Sequence, residues 1–314
     1  MAMQQSAATG VLALGEPDVI VRGHRGLWGD AWRRLLRNRL SMVATVLLVV
    51  ALGTAFLAPN VSTVERHEPH AITTEKHLGP TSDHFFGTDQ LGRDTWARTL
   101  EGIRISVQIG LGTQVVVLAL GLFFGVLATF GGRWTDNVVM RFTDIMFSFP
   151  DVLFVILLRE ILLRRDIPGL TNTLVMILAI GLLTWTTVAR LVRGQMLSLQ
   201  ERDFVLAARA LGATRWRVVV QHMLPNTLGP VIVAITFGIP AAMFLEASLS
   251  FLGLGVPPPA ASLGTLVSEG YRVVQRNIWN VVFPAGAIGL LMLSFTFLGD
   301  GLRDALDPRT RGSS

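Results

Sequence analysis

Six long apolar runs dominate this sequence and constrain its fold more than any other feature. A helix needs roughly 20 predominantly apolar residues to cross the hydrocarbon core of a bilayer. Six segments have about that length, and they are Ser41–Ala58, Ser106–Phe130, Val138–Leu158, Leu174–Val192, Thr227–Phe251 and Trp279–Leu298. The pattern therefore predicts an all-α integral membrane protein with six transmembrane helices.

Prolines interrupt two of these runs. Pro150 divides the third run, and Pro230 and Pro240 lie inside the fifth. A proline inside a soluble helix costs about 3 kcal/mol. In a membrane bundle, neighbouring helices can satisfy the backbone groups that a proline frees. We therefore interpret both runs as spans.

The composition excludes several classes of protein. Only 16% of the 314 residues are charged, against about 25% in a soluble domain. Cysteine is absent, which excludes disulfides, thiolate metal sites and cysteine nucleophiles. The single lysine, Lys76, follows Glu75, so the chain has no G-x-x-x-x-G-K-[ST] loop for a nucleotide. The sequence also has no His-rich helical metal motif, no serine nucleophile elbow and no paired carboxylates of a membrane enzyme. We therefore expect no catalytic residue and no bound cofactor.

The arginines indicate how the chain crosses the membrane. Most of them lie before the first span, between spans four and five, and in the tail, so the net charge of +5 indicates topology and not nucleic-acid binding. Six spans place both termini on one side, which the arginine bias makes cytoplasmic. The predicted layout is a cytoplasmic segment (1–40), a first span (41–59), an external loop (60–102), a five-span core (103–302) with a cytoplasmic loop (194–225), and a tail (303–314).

The segment before the first span has helical periodicity. Apolar residues recur on one side of it, and they are Leu27, Trp28, Ala31, Trp32, Leu35 and Leu36. Arg33, Arg34 and Arg37 fall on the other side. This pattern favours a helix lying in the membrane surface. A plain basic flank is the alternative.

The connection between spans four and five is too charged to cross a membrane. Phe204–Leu211 consists of good helix formers, and Gly212 is placed to end that helix. Ala207 and Ala208 leave room for close approach, and Pro225 restarts the chain before the fifth span. The pattern fits a short helix presented to a cytoplasmic partner. A solvated loop with incidental alanines fits it equally.

Four stretches resemble a known family. The spacing of Ala207-Ala208, Gly212 and Leu224-Pro225 is similar to the conserved cytoplasmic loop of bacterial ABC importer permeases. Three longer stretches resemble the second membrane subunit of the dipeptide, oligopeptide and nickel branch, and they are His84–Asp94 with Arg98, Gly102, Arg104 and Ser106; Glu246–Pro259; and Gly299–Arg309. The resemblance runs from about residue 38 to residue 309.

This resemblance implies a fold, partners and a site. The fold would be the MetI-like core of type I ABC importers in a bacterial plasma membrane. The partners would be a second permease forming a heterodimer, two cytoplasmic ATPases that bind ATP and magnesium, an external substrate-binding protein, and membrane lipid. The cargo would be dipeptides or oligopeptides, with nickel or another small solute as the alternative. The loop that couples the chain to the ATPases would contain Leu206, Ala207, Ala208, Arg209, Gly212, Ala213, Leu224 and Pro225.

The sequence departs from the family pattern at two positions. The family usually has glutamate before the Ala-Ala pair, where this chain has Leu206. It often has Ser-Trp-Gly after the proline-rich turn, where this chain has Ser262-Leu263-Gly264. A polar contact at the first position and an aromatic contact at the second are therefore not expected.

Three acidic residues lie in the apolar runs: Asp144, Asp151 and Glu246. Each charged residue at the centre of a membrane helix costs roughly 2.5–3.5 kcal/mol on insertion scales. They either border the translocation path or pack against the partner permease. Asp144 follows Arg141 by one helical turn, which would allow a local ion pair.

Two further features concern metal binding and helix packing. The external loop contains His67, His70, His77 and His84, but their spacing is loose, so we expect no metal site there. A nickel or zinc site is the weaker alternative.

Gly121 and Gly125 form a G-x-x-x-G pattern that predicts close helix packing. A self-sufficient carrier is the remaining rival, although no internal repeat supports it.

Overall fold

The computed structural model describes residues 27–57, 68–165 and 167–306. Within these residues the regular structure is helical. The helices are α1 (Leu27–Arg37), α2 (Arg39–Leu57), α3 (Thr95–Phe130), α4 (Gly132–Ser148), α5 (Asp151–Arg164), α6 (Asn172–Gln200), α7 (Asp203–Ala210), α8 (Arg215–Val218), a π-helical turn (Val219–Met223), α9 (Leu224–Phe251), α10 (Leu263–Tyr271) and α11 (Trp279–Leu306).

Five helical segments in the described chain are long and apolar enough to cross a membrane. They are α2, α3, α6, the continuous segment Arg215–Phe251 and α11. They contain the predicted spans one, two, four, five and six. The predicted all-α membrane fold is therefore confirmed.

The predicted third span is two consecutive helices. α4 ends at Ser148 and α5 begins at Asp151, because Phe149 adopts an extended conformation before Pro150. A residue that precedes proline is pushed out of the helical region by the proline ring. Neither α4 nor α5 is long enough on its own to count as a span. One apolar run therefore forms a bent pair of helices.

The helices also extend beyond the apolar runs at their polar ends. α3 begins at Thr95, where the side chain of Asp94 accepts a hydrogen bond from the N–H of Ala97 at 2.8 Å. α6 continues to Gln200, inside the segment predicted as a loop. Apolar periodicity marks only the part of a helix that lies in lipid, whereas caps and polar turns set where the helix ends.

The restart expected at Pro225 is wrong. The chain is helical from Arg215 onwards, and Pro225 lies in the first turn of α9. A π-helical turn precedes it, in which the N–H of Leu224 bonds to the carbonyl of Val219. Such a wider turn shifts the hydrogen-bond register, and the helix continues past a residue that has no N–H. α9 also runs unbroken through Pro230 and Pro240, as predicted for the fifth span.

α3 and α6 pack closely and run parallel. Gly121 faces Val188, Gly125 faces Val192, and Gly181 of α6 faces Val116 of α3. A Cβ atom on Gly121 would lie 2.6 Å from Cγ1 of Val188. Only glycine allows this approach. The close packing predicted from the G-x-x-x-G pattern is confirmed.

Contacts between the other long helices show which helix ends lie together at each end of the bundle. The Ser41 Oγ at the start of α2 donates to the carbonyl of Phe297 near the end of α11, at 3.1 Å. Gly110 of α3 packs on Met243 and Ile239 of α9, which runs antiparallel to α3. We call the end that carries α7 and the last turns of α6 and α11 the α7 end. The opposite end, which carries residues 68–94 and α10, is the α10 end.

The predicted amphipathic helix before the first span is present as α1. Its Leu35 is buried in a small apolar cluster with Ala305 of α11. Trp32 and Leu36 are exposed, as are Arg33 and Arg37. That α1 lies in the membrane surface stays a prediction.

Candidate functional site

α7 is a short helix with well-defined ends at the α7 end of the bundle. Only Glu201 and Arg202 separate it from α6. Gly212 ends it with a φ of 84°, and the N–H of Gly212 donates to Arg209 O at 3.0 Å. The N–H of Ala213 donates to Ala208 O at 3.0 Å. These two bonds form a Schellman motif, which requires the left-handed conformation that glycine adopts without strain. The predicted stop at Gly212 is confirmed.

One residue anchors α7 to the bundle. Val205 is fully buried in an apolar cluster with Met196 of α6 and Met223 of the π-helical turn. Ala208 and Ala213 pack against the same cluster from its edge. Ala208 is half-buried and faces the bundle in part, whereas Ala207 and Gly212, the other small residues expected on the outward side, are exposed. The anchoring means that α7 and the last turns of α6 move together.

The outward face of α7 is apolar and exposed. Leu206 is 50% exposed, and Leu211, just after the helix, is 89% exposed. Ala207 is exposed between them, and Arg209 is exposed on the flank. Leu224 is half-buried and Pro225 is exposed on the following helical segment. Adjoining exposed apolar residues of this kind are typical of a surface that a partner covers, whereas single exposed ones are not.

Ion pairs connect α4 to α6. Arg190 Nη2 of α6 lies 2.9 Å from Asp144 Oδ1 of α4, and the Arg190 guanidinium lies 4.1 Å from the centre of the Phe147 ring. The local pair predicted between Arg141 and Asp144 is present at 3.9 Å. It is longer than the contact with Arg190.

A second ion pair between these helices joins Arg193 and Asp136. Arg193 Nη2 lies 2.6 Å from Asp136 Oδ2, and Arg193 Nε contacts the other carboxylate oxygen. Sequence reasoning missed both residues. The available signal was a pair of arginines, Arg190 and Arg193, one turn apart on a helix that is otherwise apolar.

The structure separates the three predicted acidic residues. Glu246 is 1% exposed, and its Oε1 accepts hydrogen bonds from Ser250 and Ser262, both at 2.6 Å. Ser262 lies just before α10, so Glu246 is close to the α10 end. Asp144 contacts Arg190, about 15 Å along α6 from its last residue at the α7 end. Asp151 is exposed at the first position of α5, where a carboxylate suits the helix dipole.

Four charged residues join the segment before α3 to α10. Arg98 is 2% exposed and contacts Asp89 at 2.9 Å and Glu269 at 2.6 Å. Arg93 contacts the same two carboxylates, at 2.6 and 3.2 Å. Glu269 was not among the residues singled out from sequence. The sequence contained no signal for this pairing, because Arg98 lies in the segment predicted as an external loop, ahead of the predicted second span.

Residues 118–312 match the family described as binding-protein-dependent transport system inner membrane component. The chain belongs to this family. Residues 26–80 of the permease match the N-terminal TM domain of oligopeptide transport permease C. The chain is therefore a multi-pass membrane permease of the ABC transporter class. Permeases of this class work with an ATPase and a substrate-binding protein.

Relatives match the permease over nearly its whole length. It is 40% identical over 297 residues to the oligopeptide transport system permease protein OppC of Bacillus subtilis (strain 168), covering 95% of this chain and 94% of the relative. It is 38% identical over 301 residues to the dipeptide transport system permease protein DppC of the same organism, covering 94% of this chain and 90% of the relative.

A solved structure supports the fold. A chain of the inward-facing MetNI methionine ABC transporter superposes with a TM-score of 0.54 at 19% identity, covering 67% of this permease and 96% of that chain. At this identity the likeness concerns the fold alone. It agrees with the type I importer core that the sequence predicts.

The histidines before α3 have local partners in the permease. His84 Nδ1 lies 2.7 Å from Asp94 Oδ2, and its Nε2 lies 3.3 Å from Glu75 Oε2. Burial lowers the pKa of His84, but the hydrogen bonds and charges of Asp94 and Glu75 outweigh it, so this pKa is raised above 6.5. His70 contacts Glu101 at 3.4 Å.

The weaker alternative of a metal site draws no support from the geometry. Within residues 68–165 and 167–306, no group of three or more histidine, aspartate or glutamate side chains is arranged to hold a metal ion. His77 has a positive φ of 58°. His67 lies outside the described residues.

Proposed function

We propose that this chain is a transmembrane permease subunit of an ATP-driven importer of dipeptides or oligopeptides. The cargo class rests on the similarity of nearly the whole chain to OppC and DppC. The observation that carries the coupling role is the exposed apolar face of α7, with Leu206 and Leu211 open to solvent. An ATPase subunit that receives this face would bury both leucines, and burial of apolar area stabilises such a complex.

The docking element consists of α7 and the turns that follow it. The residues expected to contact or shape the contact with the ATPase are Leu206, Ala207, Ala208, Arg209, Gly212, Ala213, Leu224 and Pro225. Ala207 has no bulk that would keep a partner away. Val205 and Ala208 face inward and hold the helix to the bundle. A push on the outward face would therefore move the last turns of α6.

The partners follow from the same proposal. ATP and magnesium would be bound by two ATPase subunits, since this chain has no phosphate-binding loop. A second, homologous permease would complete a heterodimer, and a substrate-binding protein would deliver cargo at the α10 end. Both termini would be cytoplasmic, because the arginines of α1 and of the α7–α8 region lie at the α7 end.

The translocation path would run along α4 and α5. Arg141 and Asp144 are 84% and 53% exposed in this chain, and Asp151 is exposed as well. Charged side chains facing lipid would each cost roughly 2.5–3.5 kcal/mol. Exposed positions that carry such charges are better covered by water and by the second permease. Glu246, fully buried among serine hydroxyls, would hold α9 to the segment before α10 instead.

Reconstitution tests this function. The chain would be placed in liposomes with the ATPases, second permease and binding protein that co-purify with it from its own membranes. We expect ATP-dependent uptake of radiolabelled trialanine by the full assembly and none by the chain alone. Uptake of nickel ions without any uptake of trialanine would contradict the peptide assignment. Uptake of either by the chain alone would contradict the permease mechanism.

A further inference from the structure

α4 has few apolar contacts with the rest of the bundle. Only Val139 and Thr143 of its 17 residues are buried. The helix is joined to α3 through Gly131 and Gly132, and Gly132 has a positive φ of 87°. Few buried apolar contacts make a helix easier to displace, so the polar contacts of α4 contribute to its position beside the Phe142–Trp185 ring contact.

Those polar contacts lead to two arginines of α6. Arg193 holds both carboxylate oxygens of Asp136. Arg190 contacts Thr143 Oγ1 at 3.3 Å, Asp144 Oδ1 at 2.9 Å and the Phe147 ring. A bidentate pair fixes the angle as well as the distance between its partners, which a single lysine-type contact does not.

The same turns of α6 lead directly into α7. Met196, one turn after Arg193, is fully buried beside Val205 of α7 in one apolar cluster. Close-packed apolar clusters transmit displacement because they resist compression. Movement of α7 therefore displaces the part of α6 that carries Arg193.

We propose that Arg193 and Asp136 are positioning residues that carry the movement of α7 to α4, the helix that bears Asp144. Arg190 is the second contact of this connection. The inference rests on the proposed docking of an ATPase on α7, and it adds the route by which that docking reaches the translocation path. It assigns no contact with ATP or with the cargo to either residue.

The matched variants follow from this geometry. Asp136→Asn removes the charge and keeps the shape, whereas Asp136→Glu keeps the charge. The double exchange Asp136→Arg with Arg193→Asp restores a pair of opposite sign. Asp304→Asn is the control, because Asp304 is exposed on α11, outside the proposed path along α4 and α5 and outside the docking element.

The first experiment measures coupling in the full importer in liposomes. For Asp136→Asn we expect trialanine uptake to fall by about tenfold while ATPase co-purification and ATP hydrolysis stay at wild-type levels. Asp136→Glu and the double exchange should recover most of the uptake. Wild-type uptake by Asp136→Asn would overturn the proposal. Loss of ATPase co-purification would overturn it too, since the pair would then serve assembly. Failure of ATPase to co-purify with the wild-type chain would instead overturn the proposed function.

A second experiment does not depend on the cargo. Because the chain has no cysteine, spin labels can be placed at Asn137 on α4 or Ser198 on α6, each with a reference label at Val49 on α2. On trapping with ATP and vanadate, both distances to Val49 should change in the wild-type assembly. In Asp136→Asn only the Ser198 distance should change. An unchanged response of the Asn137 label in that variant would contradict the proposal.

Discussion

Arg98 and Glu269 are 171 positions apart in the chain, and Arg98 Nη1 lies 2.6 Å from Glu269 Oε2. Asp89 contacts the same guanidinium nitrogen at 2.9 Å. The contact joins the first turn of α3 to α10 and to the segment before α3. It therefore holds together elements of the α10 end that lie far apart in the sequence.

Removing the arginine of this contact should destabilise the fold. Arg98→Ala removes the more deeply buried of the two arginines that Asp89 and Glu269 share, while Arg93 stays in contact with both carboxylates. The loss of free energy of unfolding should therefore be smaller than the roughly 3–5 kcal/mol of a fully broken buried ion pair. We expect a clear drop in the unfolding temperature, measured by tryptophan fluorescence in detergent. Arg164→Ala breaks an exposed pair worth about 0.5 kcal/mol and is the control. Equal unfolding temperatures for the two variants would contradict the structural role of Arg98.

The order of the segment before α3 should depend on pH. His84 has a raised pKa, so the fold favours its protonated form. This stabilisation is fully present below the unfolded value of 6.5 and is lost as pH rises through the folded value above it. Hydrogen exchange of residues 68–94 should accelerate beyond the intrinsic rate change as pH rises above 6.5. His84→Asn should remove this excess, and an excess that persists in His84→Asn would contradict the assignment.

The end of α7 should not tolerate a side chain. Gly212 has a φ of 84°, and forcing another residue into that region costs about 1–2 kcal/mol. Gly212→Glu adds a charge next to the docking face, and we expect it to abolish ATPase co-purification and uptake while the chain still inserts. Gly194→Ala is the control, since a Cβ there meets no atom within 4 Å. Normal uptake by Gly212→Glu would count against docking on α7.

The membrane spans and the end of α7 could be predicted from the sequence. The apolar runs predicted the spans, because a helix needs about 20 apolar residues to cross a bilayer, however it packs against its neighbours. The end of α7 could be predicted from helix-forming residues followed by Gly212, since a glycine ends a helix through local backbone conformation alone. Bends at element boundaries were harder to foresee: Pro150 splits a run that hydropathy reads as continuous, and a π-helical turn carries the chain past Pro225.

Contacts between distant segments could not be read from it. Asp136 and Arg193 meet only because α4 and α6 pack in one register, and that register depends on how α3 and α6 approach at Gly121 and Gly125. A buried Arg98 requires a carboxylate partner, but the sequence does not show which carboxylate that is. Glu269 is chosen by the position of α10, which no local pattern specifies.

The close approach of α3 and α6 is itself testable. A Cβ on Gly125 would lie 2.7 Å from the Cβ of Val192 and also 2.7 Å from its Cγ1, which Val192→Ala removes, so Gly125→Ala forces the helices apart at a cost of about 1–3 kcal/mol. We expect a lower unfolding temperature, and Val192→Ala in the same chain should recover part of it. Gly289→Ala on α11, where a Cβ meets nothing within 4 Å, should not lower it. An undiminished unfolding temperature for Gly125→Ala would refute the packing.

Site-specific photocrosslinking would show whether an ATPase subunit binds beside α7. A benzophenone amino acid would replace Leu211, which is 89% exposed beside α7, or Ile72, which is 70% exposed at the α10 end. Irradiation of intact membranes should join the Leu211 probe to an ATPase subunit, and the Ile72 probe should give no such adduct. An ATPase adduct from Ile72 and none from Leu211 would show that the energy source is bound at the other end of the bundle.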